Sequence, residues 1–483
     1  MVLWKRKITV ADDVVTSAVH LTLRQSLIPN LLVTILFFLW GFAYGLLDVL
    51  NPHFQSSLKI TPSKASGLSA AYFGAYALCP TTISGWILRK WGFRVTFMTG
   101  LCVLAVGCLL MWPSGVKHSF GGYCGSMFVV GAGLSTLETA ADPFLSICGP
   151  PRYSEIRLNL AQAVQAVGSF VAPLLASRVF FAKTVDNDQG LKNVQWTYLG
   201  VACFVGLLII LFYLAPMPEI TDADMSTQEL EIADYDPGPF RRQFNLFLAV
   251  WSMFCYIGAQ VSVANYFVNF CEEAGRDAST SSDLFAAAQG LYAFNRFVAG
   301  GIMTFKSIKP RYILAIYLFL SWLFVLSASQ AHGTGSIACL ILVLCFESAC
   351  FATTFTLGLR GLGRHTKLGG SLLVAAISGG AVFPPMTGAV ATHLQKTGSK
   401  KPFHVAMLIP MMAFVLAYIY PLYVNFYVKE RMDERRLTAV GIEPVNEKEF
   451  ALKKTESAAA SGQGKELEAG NGGVETVERE EKT

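Results

Sequence analysis

Two carboxylates, Glu138 and Asp142, stand four residues apart in an otherwise apolar stretch. In a helix this spacing places both groups on one face. A carboxyl group in a poorly hydrated cavity can take up a proton on one side of a barrier and release it on the other. Glu138 is therefore a candidate proton carrier, the alternative being a buried structural acid paired with a neighbour. Asp142 lies nearer the predicted helix end, where a structural charge is expected.

Three further ionisable residues interrupt long apolar runs: Asp48, Arg296 and Glu347. An Asp or Lys at the centre of a membrane helix costs about 2.5 to 3.5 kcal/mol, so such groups are expected to be functional or paired. Asp48 is interpreted either as a proton-coupling acid or as an acid that ends a helix at the membrane interface. Arg296 is expected to be a structural clamp paired with an acid, and Glu347 is grouped with it as a gating or structural charge.

The candidate substrate contacts are amides and aromatic residues: Asn159, Gln162, Gln165, Gln260, Trp40 and Tyr44. Gln162 and Gln165 lie three residues apart, on one helix face. Amides offer the donors and acceptors that sugar hydroxyls need. For Gln260, hydrogen bonding between helices is an equal alternative. The two aromatic residues can stack on a sugar ring or simply pack between helices.

The composition indicates a membrane protein. Of 483 residues, 53% are hydrophobic and 15% are charged, whereas a soluble domain has about 25% charged residues. Eleven cysteines contain no C-x-x-C pair, so neither a zinc site nor a disulfide framework is expected. We find no nucleophile–base constellation, no cofactor motif and no basic face for nucleic acid, and we predict that the chain is not an enzyme.

Apolar runs predict an all-α membrane protein with twelve transmembrane helices, since about 20 apolar residues cross a bilayer. The predicted spans are 31–50, 66–88, 95–112, 123–148, 159–181, 198–215, 244–270, 283–304, 312–329, 336–357, 369–390 and 405–427. Connections after even-numbered spans carry thirteen Lys and Arg residues, against ten after odd-numbered spans when Arg178, near the end of the fifth span, is included. This bias places both termini in the cytoplasm, and the plasma membrane is the expected location.

The spans divide into two pseudo-symmetric six-helix bundles. Gly168 and Pro173 recur 212 residues later as Gly380 and Pro385, which indicates parallel repeats with a site between them. The predicted divisions are a cytoplasmic segment 1–28, a bundle 29–215, an acidic linker 216–243, a bundle 244–428 and a disordered tail 429–483. The linker is expected to be a solvated tether, although regulation is an alternative.

The loop from Gly85 to Arg94 carries Arg89, Lys90 and Arg94, which can cap helix ends or pair across a gate. This loop resembles a marker of the major facilitator superfamily, without the family's usual Asp. The segments around Trp40, LETAA at 137–141, RLNLAQ at 157–162 and CYIGAQ at 255–260 resemble fucose–proton symporters. The long tail and the acidic linker are typical of a eukaryotic, in particular a fungal, member.

The resemblance implies roles for several residues. It implies that Glu138 carries the proton, that Asp48 contributes to coupling and sugar binding, and that Gln162 and Gln165 line the sugar pocket. The expected function is proton-coupled uptake of L-fucose or a related hexose by alternating access, by a monomer in the lipid bilayer. The alternatives are an exporter or importer of a non-sugar metabolite on the same fold, and a sensor that does not transport.

Overall fold

The computed structural model describes residues 16, 21–58, 62–117, 119–175, 188–215, 217–233, 238–305 and 307–434. These ranges contain no β-strand. The α-helices in chain order are α1 Leu23–Leu58, α2 Pro62–Leu78, α3 Ile83–Val116, α4 Phe120–Ile147, α5 Ser154–Leu175, α6 Asp188–Leu214, α7 Asp222–Ala233, α8 Phe244–Glu273, α9 Ala278–Ile302, α10 Pro310–Gln330, α11 Thr334–Glu347, α12 Cys350–Leu359, α13 Thr366–Ala375, α14 Phe383–Lys396, α15 Pro402–Ala406, α16 Leu408–Ala417, α17 Ile419–Phe426 and α18 Lys429–Glu434.

These helices form twelve membrane-length stretches, six before α7 and six after it. Lipid offers no partner to backbone N–H and C=O groups, so helices, which pair these groups internally, are favoured. Eight stretches in the described ranges are long and apolar enough to cross a membrane: Leu23–Phe42, Ile83–Ser114, Phe120–Ile147, Phe244–Glu273, Pro310–Gln330, Thr334–Leu359, Gly363–Lys396 and Pro402–Phe426. The other four are α2 with the start of α3, then α5, α6 and α9.

Several spans are broken, which the hydropathy of the sequence does not predict. A turn at 79–82 that contains Pro80 interrupts the second span. Helix α3 runs from the second span into the third through Gly92, whose φ of 82° separates two helical segments. The tenth span divides between α11 and α12, and the eleventh at the 3-10 turn Ala376–Ala381. Hydropathy sums over a window of about 19 residues and is insensitive to such local breaks.

Helices α1 and α5 cross at small residues that allow their backbones to approach closely. A Cβ atom at Gly41 would lie only 1.7 Å from the carbonyl oxygen of Gln165. The second half repeats this device, since a Cβ atom at Gly379 would lie 1.9 Å from the carbonyl oxygen of Phe254 in α8. Small residues at crossings are how membrane helices gain packing energy without a hydrophobic driving force. These crossings set the distances between the helices that carry the candidate site residues.

The linker between the halves is folded over much of its described length. Thr221 begins α7 with two reciprocal hydrogen bonds: the Asp224 N–H donates to Thr221 Oγ1 at 3.0 Å, and the Thr221 N–H donates to Asp224 Oδ2 at 2.9 Å. Met225 is buried, and α7 packs against the 3-10 turn Gly363–His365 of the second half. The prediction of a solvated tether is therefore wrong for residues 217–229, which are buried or half-buried, whereas Arg241 and Arg242 are exposed.

We call the end of the bundle at which α7 lies the linker end. Here α4 packs against α13, and α5 packs against α12. Glu155 in the first turn of α5 forms an ion pair with Arg360, just after α12, and both side chains are 2% exposed. The halves also meet where α5 contacts α9 and where α2 contacts the 3-10 turn Ala376–Ala381. The two halves are thus joined at the linker end by charged as well as apolar contacts.

Candidate functional site

Glu138 lies on α4 and is surrounded largely by protein. Its side chain is 8% exposed, and its Oε2 atom is buried without a hydrogen-bond partner among the described residues. Tyr76 of α2 is its neighbour, and the Tyr76 hydroxyl lies 3.2 Å from that of Tyr72. The carboxyl group therefore borders an aromatic wall that offers it little hydration.

Trp40 belongs to the same wall. Its side chain is 1% exposed and lies beside Tyr76. Its ring centroid is 5.0 Å from that of Phe37 on the preceding turn of α1, at an interplanar angle of 60°. In this conformation the indole is covered by neighbouring rings, so packing is the role visible here. Its predicted stacking on a sugar stays a prediction.

Asp142 lies one turn beyond Glu138 and interacts with it electrostatically. The side chain is fully buried, and neither carboxylate oxygen has a hydrogen-bond partner within the described ranges. A structural acid was expected at this position, and such a role requires a partner that would offset the cost of burying the charge. The described residues provide no such hydrogen bond, which places Asp142 beside Glu138 as a second poorly solvated carboxyl group.

The amides of α5 face the interior with unpaired acceptors. The Asn159 Nδ2 atom donates to the Glu155 carbonyl at 2.9 Å, which leaves Oδ1 buried and without a partner among the described residues. The Gln162 Oε1 atom is likewise buried and unpaired there. Gln165 is only half-buried, and its backbone lies at the crossing with α1. The structure therefore favours Asn159 and Gln162 over Gln165 as interior hydrogen-bonding groups.

A polar cluster in the second half is built around Arg296 on α9. Its Nε atom donates to the Ser348 carbonyl at 2.9 Å, and its guanidinium lies 4.4 Å from the centroid of the Tyr292 ring. The Tyr292 hydroxyl contacts the Arg296 guanidinium and also accepts a hydrogen bond from Gln260 Nε2 at 2.8 Å. Arg296 further donates to the Gln162 carbonyl at 2.6 Å and so connects the two halves.

Glu347 adds a buried acid to this cluster. It is 2% exposed and interacts electrostatically with Arg296 and with Gln260. Its Oε2 atom has no hydrogen-bond partner among the described residues, while its backbone carbonyl accepts from the Tyr256 hydroxyl at 2.9 Å. The contacts of Arg296 join α9 to both α5 and the break between α11 and α12, and its role as a clamp stays a prediction.

Tyr76 and Tyr292 are candidate site residues that the sequence interpretation missed. Tyr292 stands four residues before Arg296, and Tyr76 stands four residues after Tyr72. Residues at this spacing share a helix face, so a search for polar groups one turn from each intramembrane charge would have found Tyr292. Tyr76 required knowledge that α2 packs against α4.

The three loop cations have local contacts within the first half. Arg94 caps the C-terminus of α6, since its guanidinium donates to the Phe212 carbonyl at 3.3 Å and the Ala215 carbonyl at 2.8 Å. Arg89 donates to the carbonyl four residues earlier at 3.0 Å, and Lys90 lies 5.0 Å above the Trp86 ring. The helix-capping prediction fits Arg94, and gating by these residues stays a prediction.

Two predicted residues cannot be placed in this site. Asp48 and Tyr44 fall within α1, but their side chains lie outside the described part of the structure. Their predicted roles in coupling and in sugar binding stay predictions.

Comparison with known proteins identifies the family. Residues 33–384, most of the chain, match the profile of the Major Facilitator Superfamily. The chain belongs to the major facilitator superfamily. A glucose/galactose transporter from Brucella abortus biovar 1 (strain 9-941) is 28% identical over 400 residues, covering 82% of this chain and 92% of the relative. The L-fucose-proton symporter of Escherichia coli (strain K12) is 27% identical over 416 residues, covering 82% and 93%. The resemblance to fucose–proton symporters is therefore confirmed.

Solved structures confirm the fold of this facilitator. The crystal structure of FucP in the outward conformation matches with a TM-score of 0.68 at 27% identity, covering 82% of this chain and 99% of that one. The proton:xylose symporter XylE matches with a TM-score of 0.66 at 13% identity, which concerns the fold alone. The chain is an integral multi-pass membrane protein with twelve transmembrane helices, several of them broken, in two six-helix bundles, as predicted.

Proposed function

We propose that this facilitator is a secondary active transporter that couples uptake of a monosaccharide to the entry of a proton. The observation that carries the proposal is Glu138, a buried carboxyl group with an unpaired oxygen inside a chain aligned over 82% of its length with an L-fucose-proton symporter. Glu138 takes a proton from the outer face and releases it inside, and Asp48 contributes to the coupling. Intramembrane carboxyl groups commonly serve as such relays.

The sugar binds between the halves in this proposal. The buried acceptors Asn159 Oδ1 and Gln162 Oε1 support it, since unpaired acceptors are suited to the hydroxyl donors of a sugar. Gln260 supplies an amide from the second half through the Arg296 cluster. Each half thus contributes polar groups, and rocking of one half against the other exposes the site to each side in turn.

The proposal also includes the orientation of the chain in the membrane, the bounds of its two bundles and its location. The linker end faces the cytoplasm together with both termini, because the Lys and Arg bias of the connections favours this orientation. The bundles occupy 29–215 and 244–428, and the chain works as a monomer in the plasma membrane.

Uptake of labelled L-fucose, D-glucose and D-galactose into proteoliposomes under an inward proton gradient tests the proposal. We expect the wild type to accumulate at least one of these sugars. Glu138→Gln should abolish accumulation but retain sugar counterflow, because counterflow does not require the carrier to lose its proton. Glu272→Gln, which removes an exposed acid at the far end of α8, is the matched control and should behave as the wild type.

Two results would contradict the proposal. If no sugar moves in either assay although the protein is folded, a non-sugar metabolite becomes the favoured substrate. If Glu138→Gln accumulates sugar as the wild type does, another group carries the proton.

A further inference from the structure

The loop between the second and third spans has positive charge that its own segment does not balance. It carries Arg89, Lys90 and Arg94, and no Asp or Glu occurs between residues 83 and 116. Gly92, with a φ of 82°, ends one helical segment within this loop, and Phe93 starts the next. The first N–H groups of a helix have no partner within that helix, so an acceptor must come from elsewhere.

The linker supplies this acceptor. The Phe93 N–H donates to Glu219 Oε1 at 2.9 Å, across 126 residues of sequence. A Cβ atom at position 92 would lie 2.2 Å from the same oxygen, so Gly92 both turns the chain and leaves room for the carboxylate. A negative charge at the start of a helix is also favoured by the helix dipole.

The same carboxylate faces the second half of the molecule. Lys367 on α13 places its Nζ atom 3.9 Å from Glu219 Oε1, and the two side chains are 1% and 11% exposed. The Lys367 ammonium also lies 5.3 Å from the centroid of the Phe93 ring. Glu219 therefore stands between the start of the third span and a buried lysine of the other half.

The segment that presents Glu219 is held in place. It leads directly into α7, which is capped by Thr221 and Asp224 and packs against the Gly363–His365 turn. Ile220, the next residue, is 2% exposed. A carboxylate on a packed segment loses little additional freedom when it binds, unlike one on a mobile tether.

We propose that Glu219 is a gate residue that holds the linker end closed, so that the linker takes part in the transport cycle. The inference rests on the alternating access of the proposed function. When the linker end opens, α13 moves away from α3, and the contact between Glu219 and Lys367 is lost. Separating two oppositely charged side chains that are largely buried costs free energy, which favours the closed state. Glu219 acts through the helices it joins and is a positioning residue.

Amide hydrogen exchange in the purified transporter without substrate tests this role. We compare Glu219→Gln, Lys367→Met, the double variant and the control Glu272→Gln over peptides covering 217–226 and 366–375. Each single variant should speed exchange in both peptides about tenfold, because each removes the ion pair between Glu219 and Lys367. The double variant should exchange no faster than the faster single variant, because both changes remove one interaction. Lys367→Met keeps the Phe93 hydrogen bond, so it remains informative if Glu219→Gln folds poorly.

A second measurement separates a gate from a merely structural contact. The KM for sugar is measured from each side of the membrane in oriented vesicles. A bias towards the linker-open state should raise the KM at the far side and lower it at the linker side, because only the competent fraction binds. Unchanged exchange in both single variants, or fully additive effects in the double variant, would overturn the proposal. The exchange assay needs no sugar, so its result is independent of the substrate assignment.

Discussion

Several buried side-chain oxygens in this facilitator have no hydrogen-bond partner among the described residues. Among the candidate site residues that the structure describes, five have a buried oxygen without a hydrogen-bond partner: Glu138, Asp142, Asn159, Gln162 and Glu347. Outside that set, Asn30, Ser154 and Thr354 also have one. A buried acceptor without a partner costs about 1 to 3 kcal/mol, and more when the group is charged. Side chains that serve only packing do not need this cost. Three of the five stand at positions predicted for proton coupling or sugar binding, Glu138, Asn159 and Gln162, and this supports the proposed transport role.

Tyr292 offers the sharpest test at the residue scale. Its hydroxyl accepts from Gln260 and contacts Arg296, so Tyr292→Phe leaves the half-buried Gln260 amide and the buried Arg296 guanidinium without that partner. We expect kcat/KM for sugar to fall roughly tenfold, the effect of one unsatisfied buried group. Tyr427→Phe, at a side chain that is 82% exposed, is the matched control and should leave uptake unchanged. Equal activity of the two variants would show that the Tyr292 hydroxyl does not organise the cluster.

At the scale of the helices, the crossings at Gly41 and Gly379 set how closely α1 approaches α5 and α8 approaches the eleventh span. The tolerance is small, because a Cβ atom would collide with backbone rather than with the end of a flexible side chain. Backbone atoms cannot move aside without shifting a whole helix. The positions of Trp40 and Gln162 therefore depend on the close backbone approach at Gly41 and on the matching approach at Gly379 in the second half.

Gly41→Ala should be destabilising for this reason. Overpacking typically costs about 1 to 3 kcal/mol, which exceeds the gain in helix propensity from replacing Gly by Ala. We expect a lower thermal unfolding temperature in detergent and reduced uptake. Gly125→Ala on α4 is the control, since a Cβ atom there meets nothing within 4 Å, and its stability should be unchanged or slightly higher. Equal unfolding temperatures for the two variants would mean that α1 and α5 can separate at little cost.

Charged contacts also hold elements together at the linker end. Asp433 on α18 forms ion pairs with Lys309 and with Arg311, the latter at 3.1 Å. Burial of Asp433 works in the opposite direction, but the hydrogen bonds from Arg311 and Lys309 outweigh it and hold its pKa below the ordinary value. These two ion pairs attach the start of the tail to α10, so the prediction of a disordered tail is wrong for residues 429–434, which form α18.

For the whole molecule, the ion pair between Glu155 and Arg360 is the most deeply buried charged contact between the halves that the described residues contain. Breaking such a pair by removing one partner typically costs about 3 to 5 kcal/mol, because an uncompensated charge stays buried. The pair therefore stabilises the conformation with a closed linker end, in addition to the contact of Glu219 with Lys367.

Neutralising both members should be less harmful than neutralising one. We expect Glu155→Gln and Arg360→Gln each to lower the unfolding temperature by several degrees, and the double variant to recover a large part of the loss. Differential scanning fluorimetry in detergent measures this directly. If the losses simply add, the two side chains do not stabilise each other, and the linker end depends on its apolar contacts.

The sequence by itself determined the twelve spans, the two repeated bundles and the identity of the intramembrane charges. These properties depend on local composition, because the free energy of placing a segment in lipid is approximately the sum of contributions from its individual residues. The resemblance to fucose–proton symporters also rested on short local motifs, and comparison with known relatives confirms it.

Only the tertiary structure decided which groups meet. Arg296 binds the Gln162 carbonyl across 134 residues, and Glu219 binds the Phe93 N–H across 126. Neither contact has a local signature, because each depends on how helices from distant parts of the chain cross and where they break. The linker shows the difference clearly: its acidic composition predicted solvent exposure, but packing against both halves gave Glu219 and Asp224 specific partners. The composition of a segment indicates whether it can be exposed to solvent, whereas the packing of the helices determines which residues it contacts.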